Sequence, residues 1–238
     1  MSSTVGIDVG GTFTDLYWTP DGGQPVTVKV PSSPGDPSLA LLTALEHAGV
    51  PGSGANLLVH GTTIATNAVI ERRGARCALI TTRGFRDVLE LGRRDRPKMY
   101  GLDGVQQPLI ARDLRFEVNE RLDANGGVVR ELDESEVTEL GQRLSEVDIQ
   151  AIVISFLHAY ADPRHEQLAA RALKKINPQR EIVCSHDVCN EYFEFERTST
   201  AAVQGYLQPL VAEYARKLAT RLDDSGYAGE TLIMQSNG

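Results

Sequence analysis

The chain has 238 residues, of which 41% are hydrophobic and 24% are charged, and its net charge at pH 7 is −8. These values are ordinary for a globular protein of one large domain, or of one domain and part of another. The acidic balance argues against binding to nucleic acid or to an anionic membrane through charge alone, and no apolar run approaches the ~20 residues of a membrane span. The amino terminus shows no secretory signal, and the three cysteines suit a reducing compartment, so we expect a cytoplasmic location.

Short apolar runs and capped amphipathic segments alternate along the first part of the chain. Helices are predicted from the cap Asp36-Pro37 to Gly49 and over Thr62–Arg73. The predicted strands are bounded by turn residues. They are Val5–Val9, Leu16–Thr19, Val26–Val30, Asn56–His60 and Cys77–Thr81.

The alternation of strands and helices is interrupted over residues 92–131, where Arg, Pro and Gly are frequent. This composition predicts an extended loop with small β elements. The alternation then resumes. Helices are predicted after Asp133, where Glu136 completes a capping box, after Asp162-Pro163, and as two consecutive segments, Glu194–Leu207 and Pro209–Asp223. Strands are predicted at Ala151–Phe156, Ile182–Ser185 and Thr231–Gln235. The alternation predicts a three-layer α/β fold, and the three opening strands make its sheet mixed.

The most informative segment is Asp-Val-Gly-Gly-Thr-Phe-Thr-Asp near the amino terminus. Apolar runs on both sides predict a tight β-hairpin, in which Gly10 and Gly11 allow φ > 0 and close approach of the backbone to a ligand. The turn amides and the hydroxyls of Thr12 and Thr14 can donate to phosphate oxygens. The alternative is an ordinary Gly-Gly hairpin. The spacing differs from a P-loop and from a dinucleotide-binding loop, and it is similar to the first phosphate loop of actin-like ATPases and sugar kinases.

Two aspartates flank this turn. Asp8 lies near the end of the first predicted strand, and Asp15 directly precedes the second. Carboxylate oxygens are ligands that Mg²⁺ prefers, and they can also orient a water molecule. The pair is therefore suited either to Mg²⁺ or to orienting a water molecule beside the turn.

A second candidate element begins at His60, where a predicted strand passes into a helix. A turn of this kind presents free amides at the positive end of a helix, which suits an anionic ligand, and Thr62 and Thr63 add hydroxyls. His60 could transfer a proton or orient a substrate. The simpler alternative is that Thr62 caps the helix and His60 is a hydrogen-bonded neighbour.

Three further features keep two interpretations each. The basic segment 92–98 could clamp a carboxylate or phosphate, or it could be a solvated loop or a partner interface. Arg197, at the start of a helix, could bridge to the phosphate turn or belong to an ordinary capped first turn. The group of Cys184, His186, Asp187 and Cys189 could hold a metal, but its spacing is not a standard zinc pattern and cysteine is often simply buried.

Six segments together resemble the hydantoinase A / 5-oxoprolinase family of the actin-like ATPase superfamily, and their combination is more specific than any one of them. The resemblance runs from residue 5 to the last residue, and the closing Leu232–Gly238 looks like the family's segment before its second lobe. The six segments are Asp8–Asp15, His60–Asn67, Gly84–Val88, Arg96-Pro97, Ser155–His158 and Glu196–Thr200.

The resemblance implies an actin-like (ribonuclease H-like) α/β lobe over residues 1–190, with a mixed sheet flanked by helices. Residues 191–238 would then be linking helices and the start of a second lobe, most of which is expected to be absent from this chain. In the superfamily the second lobe brings another phosphate loop and the adenosine site. We therefore expect the chain alone to be inactive and to expose an apolar face around Leu232 and Met234.

The implied activity is an ATP-dependent hydrolase of the hydantoinase/5-oxoprolinase type. Family members use ATP and Mg²⁺ to activate a lactam, cyclic imide or ketone, whose oxygen is thought to be phosphorylated. A hydantoinase B-type subunit or domain would complete hydrolysis or carboxylation in a hetero-oligomer. The alternatives are a sugar or small-molecule kinase of the same superfold and a non-catalytic nucleotide-binding partner domain.

The resemblance also implies roles for the candidate residues. The catalytic residues would be Asp8, His60 and Thr63. Asp8 and Asp15 would serve Mg²⁺ and water. The residues implied to bind the nucleotide are Gly10, Gly11, Thr12, Thr14, Asp15, Thr62 and Arg197.

Overall fold

The computed structural model describes residues 3–33, 35–52, 54–93, 100 and 107–234. It divides into two compact units. The first is drawn from Met1–Glu71 and Leu210–Gly238, and the second is Arg72–Pro209. Most of the basic segment predicted at 92–98 lies outside the described residues, as do Arg96-Pro97 and the last four residues.

The elements of the described residues follow the predicted alternation. The strands are β1 (Thr4–Val9), β2 (Phe13–Thr19), β3 (Val26–Pro31), β4 (Leu57–Thr62), β5 (Cys77–Thr82), β6 (Arg115–Val118), β7 (Arg121–Leu122), β8 (Val128–Arg130), β9 (Ala151–Ser155), β10 (Glu181–Cys184) and β11 (Glu230–Ile233). The helices are α1 (Pro37–Ala48), α2 (Ile64–Ile70), α3 (Val88–Leu91), α4 (Glu134–Ser145), α5 (Arg164–Ile176), α6 (Ser185–Val188) and α7 (Glu194–Asp224), with a 3₁₀ turn at Arg112–Leu114.

The first unit contains a mixed sheet of strand order β11-β4-β1-β2-β3. β1, β2 and β3 form an antiparallel meander, whereas β4 is parallel to β1 and β11 is parallel to β4. Successive strand residues point to opposite faces. One face is buried against α1 and the second part of α7, where Leu41, Leu45 and Leu218 lie in the core. The other face carries the side chains of Asp8 and Asp15, and the antiparallel meander forms with Gly10 and Gly11 in its first turn, as the sequence predicts.

The second unit contains a parallel sheet of strand order β10-β9-β5-β6. β5 and β9 are buried along their whole length, as is usual for parallel strands covered on both faces. β7 and β8 form a separate antiparallel ribbon. The α/β class with a mixed sheet flanked by helices is therefore confirmed, but the strands are divided between two main sheets.

The predicted break before Pro209 is wrong, because α7 is one helix of 31 residues. Pro209 removes its own N–H donor, and a proline inside a helix costs roughly 3 kcal/mol. Burial on both sides of the proline offsets that cost. Ala201 and Tyr206 are buried before it, and Tyr214 and Leu218 after it.

Two smaller expectations are also wrong. β4 continues two residues past His60 because Thr62 pairs with Val9 of β1, which leaves α2 only seven residues. Glu136 does not complete a capping box, because its carboxylate accepts hydrogen bonds from Asn119 N (2.8 Å) and Arg83 Nη2 (3.2 Å). Only the Asp133 half of the cap is present, where its Oδ1 accepts from Ser135 N.

Candidate functional site

The turn between β1 and β2 is closed by a hydrogen bond from Gly10 N to Phe13 O (3.1 Å). Ser32, directly after β3, braces the turn from the side. Its N–H donates to Thr12 O (2.9 Å) and its hydroxyl donates to Gly10 O (2.7 Å). No local sequence pattern marks Ser32, because its role depends on β3 returning beside the turn.

Gly10 and Gly11 are glycines because other atoms lie too close to them for a side chain. Neither Gly10 nor Gly11 has a positive φ. A Cβ atom at Gly10 would lie 3.1 Å from Phe13 O, and one at Gly11 would lie 3.3 Å from Asn67 Nδ2. The glycines therefore let the turn close and let α2 approach it.

The two threonines of the motif lie in different environments. Thr12 is exposed at the turn, whereas Thr14 is fully buried. Thr14 Oγ1 is 3.0 Å from Ser32 Oγ. This contact supports a bracing role for Thr14, and its predicted contact with phosphate gains no support from the geometry.

Asp8 and Asp15 lie opposite each other in the β1–β2 register, on the open face of the first sheet. Residues directly opposite on one face have Cβ atoms about 5 Å apart. Both side chains are exposed, and Lys29 Nζ contacts Asp15 Oδ1 at 2.8 Å. A groove of about 620 Å³ runs over this face, and Gly61 and Met234 also line it.

The carboxylate oxygens of Asp8 and Asp15 in the groove are of the type that Mg²⁺ prefers as ligands. Mg²⁺ is commonly held by one or two carboxylates together with waters and substrate phosphates. Asp8 is the less encumbered candidate, because Lys29 already neutralises Asp15. A Cβ atom at Gly61 would lie 3.3 Å from Asp8 Oδ1, so the absent side chain leaves room for this carboxylate.

His60 lies on the opposite, buried face of the sheet and is fully inaccessible. Its Nε2 is 2.5 Å from the hydroxyl of Tyr214 on α7, and burial lowers the pKa of its imidazole. This arrangement supports the simpler of the two interpretations, in which His60 is a hydrogen-bonded core residue. Tyr214 is 154 residues away in the chain, so the sequence could not reveal the pair.

Thr62, Thr63 and Asn67 lie next to the Gly10–Gly11 turn. Thr63 N donates to Val9 O (3.4 Å), and Thr62 Oγ1 accepts from Ile64 N (3.3 Å). Asn67 Nδ2 donates to Thr63 Oγ1 (3.1 Å). The turn and the His60–Asn67 segment, which are some fifty residues apart in sequence, therefore meet at the carboxyl ends of β1 and β4.

Arg197 belongs to the second unit and its side chain is fully buried. Its guanidinium donates to Ser185 Oγ (3.1 Å), Glu191 O (2.9 Å) and Phe156 O (2.8 Å), and it also pairs with Glu194. A guanidinium with these partners supports the fold of its own unit. Its predicted contact with a nucleotide gains no support from these bonds.

The cysteine–histidine group of the second unit forms a hydrogen-bonded cluster around Glu166. Ligand atoms of Glu166, Cys184 and His186 lie within 4.8 Å of one another. The carboxylate of Glu166 already accepts from Phe156 N (2.9 Å), Ser185 Oγ (2.6 Å) and His186 Nδ1 (2.6 Å). Burial raises the pKa of the Cys184 thiol to about 12, which keeps it protonated. The contacts favour a structural cluster over a metal site.

These features define a class of protein. An α/β protein with a mixed sheet presents a glycine turn, an accessible aspartate and threonine hydroxyls at the carboxyl ends of the neighbouring parallel strands β1 and β4. Within the parts of the chain that the structure describes, no helix is both long and apolar enough to cross a membrane.

Comparison with known proteins gives the family. The model of the hydantoinase/oxoprolinase N-terminal region matches residues 4–177, and the chain belongs to this family. It is 40% identical to an uncharacterized protein of Methanocaldococcus jannaschii, over all of this chain and 36% of that protein. It is 33% identical to the acetophenone carboxylase gamma subunit of Aromatoleum aromaticum, over 99% of this chain and 35% of the subunit.

A solved structure gives the same result. The crystal structure of the ATP-dependent caprolactamase from Pseudomonas jessenii matches 98% of this chain and 36% of that chain, with 31% identity and a TM-score of 0.88. The chain thus spans about a third of the length of these relatives.

Proposed function

We propose that this chain is the phosphate-binding part of an ATP-dependent enzyme that activates a lactam, hydantoin, 5-oxoproline-like ring or related ketone. The observation that carries the proposal is the accessible Asp8 beside the Gly10–Gly11 turn, with Thr63 at the neighbouring strand end. Relatives named as a caprolactamase and an acetophenone carboxylase support a ring or ketone substrate over the sugar-kinase alternative.

In this proposal the turn holds the phosphates. The turn amides that follow Gly10, whose own N–H bonds to Phe13 O, and the hydroxyls of Thr12 and Thr63 donate to phosphate oxygens. These donors stabilise the charge that develops during phosphoryl transfer. Thr62, the neighbour of Thr63, is a further candidate for contact with the phosphates. Mg²⁺, when bound, would neutralise charge between the phosphates, and Asp8 would be its principal protein ligand, with Asp15 as a second.

The role of His60 changes in this proposal. A histidine on the core face cannot touch a ligand on the open face of the same sheet. His60 therefore acts as a positioning residue that fixes β4 against α7 through Tyr214.

The remaining proposals concern the whole protein. Residues 1–190 would correspond to the family's amino-terminal lobe, and residues 191–238 to linking helices and the start of the next lobe. The region that relatives carry beyond the matched third would complete the nucleotide site, and a hydantoinase B-type subunit would complete hydrolysis or carboxylation in the cytoplasm. The caprolactamase and acetophenone carboxylase relatives favour the hetero-oligomer.

The test is phosphate release by the complete protein with its partner subunit, screened over 5-oxoproline, hydantoins, lactams and ketones. Asp8→Asn should keep the fold and lower substrate-dependent phosphate release by about 100-fold, because the lost charge acts on the transition state. Asp223→Asn makes the same change at an exposed position on α7 and should leave the rate unchanged. Wild-type turnover by Asp8→Asn would refute the assignment.

A further inference from the structure

Asn67 lies on α2, one helical turn after Thr63, and its backbone is fixed in the helix. Its N–H donates to Thr63 O (2.9 Å), and its carbonyl accepts from Glu71 N (2.8 Å). Its side-chain Nδ2 donates to Thr63 Oγ1 at 3.1 Å. The carboxamide is therefore joined to Thr63 at one of its N–H groups.

This carboxamide is directed at the phosphate turn. A Cβ atom at Gly11 would lie only 3.3 Å from Asn67 Nδ2. A side-chain amide has two N–H donors, and the bond to Thr63 uses one of them. Among the described residues, no hydrogen bond from the second N–H or to Oδ1 is found, and Asn67 is half-buried.

We propose that Asn67 is a further ligand-binding residue, whose second amide N–H donates to a phosphate oxygen held by the Gly10–Gly11 turn. The inference rests on the proposed function and adds a donor to it. It also explains why residue 11 is a glycine, since any side chain there would fill the space between the turn and the carboxamide. The ligand class is a polyphosphate, the triphosphate of a nucleotide.

A neutral amide suits this position because it donates without adding charge. An aspartate of the same shape could accept from the Thr63 hydroxyl, so α2 would keep that contact, but the single proton of this hydroxyl would then no longer be available to phosphate. Its carboxylate would repel phosphate and offer no donor. Asn67→Asp therefore separates ligand binding from folding better than a truncation does.

The test uses MgATP and, separately, Mg-tripolyphosphate, titrated into the chain and followed by the side-chain amide resonances in ¹H–¹⁵N spectra. The Asn67 amide signals should shift on titration, and adenosine should leave them unmoved. Asn67→Asp should weaken binding of both probes by at least about tenfold, because a hydrogen bond to a charged group is lost. Asn67→Ala, which adds no charge, should weaken binding less than Asn67→Asp.

The matched control is Asn56→Asp. Asn56 is exposed just before β4, at the end of the strand opposite to Thr62. Its change to Asp adds the same negative charge as Asn67→Asp does. The Asn56→Asp variant should bind both probes as the wild type does. Wild-type affinity in Asn67→Asp overturns the role of Asn67 and leaves the proposed function standing. Failure of the complete wild-type protein, as well as of this chain, to bind either probe at millimolar concentration overturns the proposed function together with this inference.

Discussion

Three glycines shape the candidate site because they lack a side chain where other groups come close. Gly10 and Gly11 let the turn close and let Asn67 approach it. Gly61 lies beside Asp8 in the register of β4 and β1, and leaves space for its carboxylate. The position of Asp8 is therefore set by a neighbouring strand as well as by its own.

Replacing Gly61 should disturb Asp8 more than it disturbs the fold. In Gly61→Ala the new methyl group would contact Asp8 Oδ1, so the carboxylate has to move by a few tenths of an ångström. We expect phosphate release by the complete protein to fall about tenfold, since small displacements of reacting groups are costly. The free energy of unfolding, measured in urea, should change by less than about 1 kcal/mol.

The control for this variant is Gly6→Ala. Gly6 lies on the same face of the same sheet, but its new methyl group would meet only Tyr17 O, at 3.9 Å. It should leave both phosphate release and stability close to wild type. Equal loss of activity in the two variants would show that the strand, and not the space beside Asp8, is what matters.

At the scale of elements, polar pairs connect α7 to the rest of the first unit. Tyr214 contacts His60 of β4, and Arg221 Nη2 contacts Asp36 Oδ2 at 2.7 Å, just before α1 begins. Asp36 was expected to cap α1 with its side chain. It precedes the helix as predicted, but its carboxylate bonds to Ser38 Oγ and Arg221 and not to a backbone amide of the helix.

The Asp36 pair makes a prediction about acid stability. The Arg221 guanidinium lowers the pKa of Asp36 from 3.8 to about 2 in the folded state. A lowered carboxyl pKa adds stability that is present above pH 3.8 and is lost as the pH falls toward 2. Asp36→Asn should therefore be less stable than wild type by about 1 kcal/mol at pH 7, once solvent screening is allowed for, and the difference should shrink between pH 4 and pH 2.

Urea unfolding at pH 7, 5, 3 and 2 would measure this difference. Asp223→Asn, an exposed change near the end of α7, is the control and should follow the wild type at each pH. A gap between Asp36→Asn and wild type that stays constant down to pH 2 would mean that the ion pair is not its source.

At the scale of the whole molecule, each of the two units has its own sheet, and the candidate phosphate turn lies in the first. The predicted apolar exposure around β11 is confirmed, since Leu232 is 45% exposed and Met234 is 56% exposed. Met234 also lines the groove that contains Asp8. Exposed apolar side chains beside a polar groove are suited to contact with further protein.

The chain by itself should bind ATP weakly. It spans about a third of its relatives' length, and in our proposal the Gly10–Gly11 turn would contact a triphosphate from one side. A few kcal/mol of contact corresponds to a dissociation constant on the order of 1 mM. Calorimetry with MgATP would measure it. Micromolar affinity, or steady lactam-dependent phosphate release by this chain alone, would contradict the expectation that further protein completes the site.

The sequence by itself determined the features that are local. Apolar runs separated by turn residues predicted β1–β3 and the position of Gly10 and Gly11, because a hairpin is specified by neighbouring residues. Alternation of strands and helices predicted the α/β class. The motifs around Asp8 and His60 identified the family.

Only the tertiary structure decided which residues of those motifs can meet a ligand. His60 and Thr14 fall on the buried face of the sheet, whereas Asp8 and Asp15 fall on the open face. That assignment depends on where α1 and α7 cover the sheet. Ser32 and Asn67 reach the glycine turn, and Tyr214 reaches His60 on the buried face, through strand and helix packing that joins residues far apart in the chain. Arg197 is held by four hydrogen-bond acceptors of its own unit. A buried charge has to be paired, and only the folded chain brings these partners together.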